Sequence, residues 1–297
     1  MAATDDGTFA GSIAEIYDRY LVPLIFDSYA LDLTSRLVEA NALDVLETAA
    51  GTGVLTRAIA SRLPADARIV ATDLNQPMLD RAKGRQSLNG RIEWKQADAL
   101  ALPFENQSFE AVACQFGVMF FPEKVQGYRE AWRVLKPGGR FHFNVWDRIS
   151  ENEFADTVTE ALAAVFPHDP PRFLARTPHG YHDVECIRAE LNAAGFSDLS
   201  VDAVDHRSKA SSPHDPAIAY CQGTPLRSEI EARDASRLRD ATEQAADALA
   251  SRFGSRHIEG RIRAFARSRP SERDGCVRFG FLANIRPSLQ RPIELSS

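Results

Sequence analysis

Three acids, Glu47, Asp73 and Asp98, stand at or just past the ends of short strand-like runs, and they are the residues best placed to do chemistry. Glu47 precedes the small-residue turn Thr48-Ala49-Ala50-Gly51-Thr52-Gly53. Gly51 and Gly53 remove side chains where a ligand must approach the backbone, and a helix starting after them offers free N–H groups. A pyrophosphate here would meet the charge of Glu47, and the third glycine of a G-x-G-x-x-G pattern is replaced by Thr56. A dinucleotide is therefore argued against. A ligand with a cationic end suits Glu47 better.

Asp73 lies twenty residues beyond Gly53, where a strand-end carboxylate can accept from both hydroxyls of a ribose. A helix cap is the competing role, but Asn75 and Pro77 can open the next helix without it. Asp98 can accept from the exocyclic amine of an adenine. An adenosine with a cationic amino-acid end describes S-adenosylmethionine. The alternative is a tight turn in some other α/β protein.

The elements that must position these acids are written in the hydrophobic pattern. Leu43, Val45 and Leu46 make a strand-length run, and Leu55, Ile59 and Leu63 recur at helical spacing. Further strands are expected at residues 67–73, 91–96, 109–116 and 140–146, with a helix at 125–135 stopped by Lys136-Pro137-Gly138-Gly139. Strands alternating with helices imply α/β architecture and a mostly parallel sheet. Residues 9–37 read as helical, with Pro23 dividing them into two pieces. Composition agrees with an ordinary soluble globular protein: 26% charged and 44% hydrophobic residues over 297 positions, with a net charge of −6. That charge argues against a general polyanion binder. Neither a bilayer-spanning run nor a signal-peptide pattern is expected, and the four scattered cysteines fit no zinc or disulfide framework. Cytoplasmic localisation is the economical expectation.

These stretches resemble the class I S-adenosylmethionine-dependent methyltransferases, in particular the small-molecule branch called type 11. The acid-then-glycine motif matches residues 47–53, with Ala49 where the pattern usually has its first glycine. The second-strand acid matches Asp73. The third motif matches Ala97-Asp98-Ala99 with Leu102-Pro103-Phe104 and Ser108-Phe109, and the fourth matches Glu130 through Gly139. Tyr17-Asp18-Arg19-Tyr20 resembles the branch's helical cover. The resemblance implies a Rossmann-like, doubly wound, mostly parallel seven-stranded sheet with helical cap insertions. It also implies S-adenosylmethionine as methyl donor. Glu47, with Ala49 and the Gly51 and Gly53 backbone, would face its methionine end, Asp73 its ribose, and Leu74 and Met78 its adenine. Asp98 and Ala99 would read the adenine edge. Gln115 would lie near the transferred methyl, and Tyr20 would contribute from the cover. Met78 serves equally well as core.

The implied organisation is a helical lid (residues 1–36), a donor-binding core (37–147), a cap insertion (148–181), the rest of the core with a helical insertion at 212–255 (182–267), and a tail (268–297). A helix is expected from Asp183 to a stop at Gly195, a sixth strand at 199–204 and a closing strand at 262–266. The tail is basic and matches no motif.

Methyl transfer from a sulfonium demands alignment and dryness more than acid–base groups. A hydroxyl or acidic carbon as nucleophile would add a base. His142, His168, His179 and His182 are candidates, and none is assigned. The expected activity is methylation of a small apolar or aromatic metabolite, with no metal, nucleic acid or membrane partner and a monomeric or homodimeric state. A quinone-ring C-methyltransferase and a non-catalytic S-adenosylmethionine-binding protein are the alternatives.

Overall fold

The computed structural model describes residues 12–85, 91–197, 199–266 and 283–284. The chain enters along one helical path: α1 (Ser12–Ile16), a π-helical stretch (Tyr17–Phe26) and α2 (Asp27–Glu39). The expected division at Pro23 is corrected, because the wide π winding absorbs the proline. A proline ring clashes with the i−4 carbonyl of an α-helix, and the wider π turn relieves that clash, although the missing N–H still removes one backbone bond. Carbonyls along this stretch are taken up from outside. Ser208 Oγ donates to Leu24 at 2.7 Å, and Gln115 Nε2 donates to Phe26 at 2.9 Å.

The core follows the alternating pattern: β1 (Asp44–Glu47), α3 (Val54–Arg62), β2 (Arg68–Asp73), α4 (Gln76–Arg85), β3 (Ile92–Gln96), β4 (Phe109–Gln115), α5 (Lys124–Val134) and β5 (Leu135–Trp146). All five strands pair in parallel. Helices cover both faces, so Val45, Leu46, Ile69, Val70, Ala111 and Val112 are fully buried. α5 stops where expected, but β5 begins at Leu135 and not at Arg140, so Lys136–Gly139 forms a bulge inside the strand. Leu135 pairs with Phe109 and Arg140 with Ala111, so the four residues between are looped out, with Gly138 at φ +80°.

Beyond β5 come α6 (Glu153–Val165), α7 (Phe173–Arg176), α8 (Val184–Ala194), β6 (Asp202–Ala210), α9 (His214–Gln222), α10 (Leu226–Asp234), α11 (Leu238–Phe253), β7 (Ile258–Ala266) and the two-residue β8 (Ala283–Asn284). The strand order is β3-β2-β1-β4-β5-β7-β6, with β7 antiparallel to β5 and β6. β8 pairs with β5 at Arg140 and Phe141, just past the bulge. α8 begins at its expected cap, where Asp183 accepts from the N–H groups of Glu185 and Cys186, and it ends at Gly195 with φ +109°. β6 is longer and later than expected. As an edge strand with one solvent face, it reads Asp-His-Arg-Ser-Lys through its middle and carries little apolar signal. The expected helical insertion forms α9 to α11, and on α11 Ala241, Ala245 and Ala246 are buried where the helix packs on α6 and α9.

Two of the basic residues near the end of the core are ion-paired. Arg263 binds Asp205 at 2.9 Å and Arg261 binds Glu151 at 3.0 Å. Arg267, Arg269, Arg273, Arg278 and nearly all of the expected tail lie outside the described residues. Among the described residues no helix is long and apolar enough to cross a membrane.

The turn after β1 carries a test of its own. Ala49 sits at φ +52°, a left-handed conformation that costs a non-glycine residue roughly 1–2 kcal/mol. Its methyl fits because Gly117 faces it: a Cβ at Gly117 would lie 2.5 Å from Ala49 Cβ and 2.7 Å from Cys114 Sγ. Gly117→Ala should therefore destabilise the protein by about 1–3 kcal/mol, the usual cost of overpacking. Adding Ala49→Gly should recover at least half of that loss in a urea-unfolding double-mutant cycle. Additive losses would show that the two positions do not oppose each other.

Candidate functional site: a cleft at the strand tips

An open parallel sheet binds its ligands outside the carboxyl ends of the strands, where the strand order reverses. Here the reversal falls between β1 and β4, and a cleft opens there. It holds about 1200 Å³ of unoccupied space, open mouth included.

One half is built by the first three strand tips. Ala49 and Gly51 come from the turn after β1, Asp73, Leu74, Asn75 and Met78 from the end of β2 and the start of α4, and Ala97, Asp98, Ala99 and Leu100 from the end of β3. Gly51, at φ +56°, has nothing within 4 Å of where a Cβ would stand, so the backbone there is bare toward the cleft. Asp73 is buried, and its two oxygens tie the turns together. Oδ2 accepts from Gly51 N and Oδ1 from Asn75 N, each at 2.8 Å. Burial pushes its carboxyl pKa up against the pull of these amide bonds. Asn75 Nδ2 also reaches Oδ1, at 3.4 Å, and the carboxylate lines the cleft with acceptor capacity left for a ligand hydroxyl. Leu74 is 60% exposed at the mouth, an apolar surface that a flat ring can cover.

The other half is apolar and aromatic. The π stretch contributes Tyr17, Leu21, Ile25 and Phe26, the tip of β4 contributes Gln115, Phe116 and Gly117, and the tip of β5 contributes Trp146. Phe116 and Trp146 stack with centroids 3.8 Å apart and planes 5° apart, and Phe26 closes on both. Phe116 holds φ +51° at the strand end, its N–H donated to Asn144 Oδ1 at 2.9 Å. Strain of this kind collects at functional sites. From the later segments come Phe173, Leu174, Pro178 and His179, then Tyr220 and Thr224.

Of the residues singled out in the sequence, Ala49, Gly51, Asp73, Leu74, Met78, Asp98, Ala99 and Gln115 line this one cleft. Glu47, Gly53 and Tyr20 do not line it. Glu47 is buried behind the turn, and its Oε2 accepts from Thr56 Oγ1 at 2.6 Å. Burial pushes its carboxyl up to about 8 despite Thr56 and the nearby Arg57 cation. Gly53, at φ +76°, is required by packing. A Cβ there would stand 3.0 Å from both Ala82 Cβ and the Trp94 ring. Tyr20 lies against Arg19, whose guanidinium is 5.1 Å from its ring, and Tyr17 takes the cleft-facing place. The cover is fastened by Asp18, which Arg81 holds at 2.8 Å and Arg85 also contacts. Burial would raise the Asp18 carboxyl pKa, but the two guanidinium groups outweigh it and hold the pKa below its usual value.

His179 is a residue that the sequence could name without placing. Its Nδ1 lies 2.9 Å from the Asp147 carbonyl, and its own N–H donates to Leu174. Gly180 makes the tight passage possible, since a Cβ there would meet the Arg176 carbonyl at 2.0 Å. Phe173, Leu174, Tyr220 and Thr224 carry no local signal for the site, because only long-range packing brings their segments to the cleft.

Comparison with known proteins bears on the family and the fold. Residues 45–139 match a family model described as a methyltransferase domain. Demethylmenaquinone methyltransferase of Clavibacter sepedonicus is 31% identical over 207 residues, 66% of this chain and 81% of that protein. Ubiquinone/menaquinone biosynthesis C-methyltransferase UbiE of Cronobacter sakazakii is 30% identical over 170 residues, 52% of this chain and 67% of its own length. Among solved structures, the YcgJ protein of Bacillus subtilis shares the fold, with a TM-score of 0.51 at 19% identity over 80% of this chain and 96% of that one.

Proposed function

The chain belongs to the S-adenosylmethionine-dependent methyltransferases, and we propose that it methylates a small apolar or aromatic metabolite held in the aromatic half of the cleft. When bound, the donor supplies an electrophilic methyl on a sulfonium whose sulfur leaves as a neutral thioether. The single observation carrying the acceptor class is the makeup of that half: Phe26, Phe116, Phe120, Trp146, Phe173 and Leu174 leave few polar groups to solvate a charged substrate.

The division of labour follows from the residues present. Asp73 accepts the ribose hydroxyls, Asp98 and Ala99 read the adenine edge, and Leu74 and Met78 flank the ring. Gly51 and Ala49 give backbone access to the amino-acid end, with the charge of Glu47 behind them. Gln115 and the Phe116–Trp146 stack border the place of transfer. The helical path over residues 12–39 acts as a lid, excluding water so that proximity can supply several kcal/mol of the barrier. A lone cation beside these ring faces is also attracted by them.

A second reading within this chemistry, methylation at a quinone-ring carbon, is supported by the likeness to the demethylmenaquinone and ubiquinone/menaquinone enzymes. Incubation with methyl-labelled donor should label a small aromatic acceptor from a metabolite panel that includes reduced demethylmenaquinone. Tight donor binding without transfer to any acceptor would instead make the protein a non-catalytic binder.

A further inference from the structure

The apolar half of the cleft contains one buried imidazole whose orientation is dictated by its surroundings. His179 is 6% exposed and lines the cleft, and its ring centroid lies 6.0 Å from that of Trp146. Nδ1 faces a main-chain carbonyl, that of Asp147, at 2.9 Å. A carbonyl only accepts, so Nδ1 carries the proton, and in the neutral ring Nε2 is then the nitrogen with a lone pair. A basic nitrogen held beside stacked rings is an arrangement that would receive a hydroxyl on an otherwise apolar molecule.

We propose that His179 is a catalytic residue that accepts the proton of an acceptor hydroxyl, so that the substrates are hydroxylated aromatics such as phenols, naphthols or quinols. The inference rests on the methyltransferase reading and narrows its substrate class. The hydroxyl proton passes to Nε2 while the O–H electron pair stays on the acceptor. The acceptor then forms its new bond to the methyl carbon, and the pair of the broken sulfur–carbon bond leaves with sulfur. Overall one cationic charge moves from sulfur to imidazole. The cleft therefore holds one positive charge before and after, which offsets part of the cost of charging a buried ring.

The groups facing His179 keep it neutral beforehand. Burial, with His182 nearby, pushes its pKa down to about 4, against the pull of the Asp147 carbonyl. The Asp147 side chain has its own carboxyl pKa raised by burial. Tyr17 and Tyr220, which line the same cleft, are pushed far above the usual phenol range and stay uncharged. Asp73, on the donor side, is the remaining carboxylate that both lines the cleft and is buried.

The test compares two fluorescent probes, 2-naphthol and naphthalene, binding to the full chain in the presence of S-adenosylhomocysteine. The unmutated protein should prefer 2-naphthol at least tenfold, because a site built for a hydroxyl penalises its absence. That preference should be flat from pH 6 to 8 and fade as the pH falls toward 4, where the acceptor lone pair is protonated. His179→Phe should abolish it. His179→Gln, whose amide can face the Asp147 carbonyl while its oxygen accepts, should keep a preference that no longer depends on pH. Equal affinity for the two probes in the unmutated protein would overturn the proposal, as would an unchanged preference in folded His179→Phe. Failure of S-adenosylhomocysteine to bind at all is a separate result, which would strike the donor assignment instead.

Discussion

Replacing Asp73 by alanine should weaken binding of the methyl donor about a hundredfold. The buried carboxylate already accepts from Gly51 and Asn75 amides at 2.8 Å, and its remaining lone pairs border the cleft. A hydrogen bond to a charged group contributes roughly 1.5–3 kcal/mol, and losing a carboxylate offered to two hydroxyls lies at or above the top of that range. The change also unties the turn after β1 from the tip of β2, so unfolding in urea should shift as well, by about 1–3 kcal/mol. Titration calorimetry on a variant with unchanged circular dichroism separates the two effects. An affinity within threefold of the unmutated protein would remove Asp73 from the ribose.

The second large effect concerns pH and comes from Glu47. Its carboxyl is buried and pushed up to about 8, so it is mostly protonated at pH 6 in the free protein. A cationic amino-acid end brought close favours the ionised form, which lowers the pKa in the complex and releases a proton on binding. Donor affinity should therefore rise with pH, by up to roughly tenfold per unit between pH 6 and about 7.5. Above that the donor's own amine, with an ordinary pKa of roughly 7.7–8, begins to lose its charge. Calorimetry in two buffers of different ionisation enthalpy should detect the released proton, and Glu47→Gln should abolish the slope.

Stability carries the opposite sign. Between about 4.5 and 8 the folded state holds a proton that the unfolded state has lost, so stability falls as pH rises through that window. Glu47→Gln should then be close to neutral at pH 5 and stabilising at pH 8. A pH-independent affinity in the unmutated protein would show that the carboxyl does not sense the ligand.

Much of this was legible because the decisive residues sit where periodicity changes. Asp73 and Asp98 are found by asking which acids end strands, and α8 by an acidic cap at Asp183 and a glycine at Gly195. The cover was harder to read. The pattern names Tyr20, but the π winding turns more widely than an α-helix, so the cleft face runs through Tyr17, Leu21 and Ile25. Gly53 looked like a ligand contact, yet Ala82 and Trp94 crowd it, and a sequence does not distinguish a glycine needed for approach from one needed for packing. β6 was misplaced because a strand with a solvent face spells itself in charged residues. Phe173 and Tyr220 reach the cleft on helices, and His179 in the turn after one, whose placement is set by contacts far apart in the chain.

The central claim is that the donor lies across the tips of β1, β2 and β3. A crystal structure of the protein with S-adenosylhomocysteine tests it most directly. The account predicts both ribose hydroxyls on the Asp73 carboxylate, the adenine against Leu74 with its amine toward Asp98, and the amino-acid end over the bare backbone of Gly51. A ligand bound elsewhere, or a ribose turned away from Asp73, would contradict it.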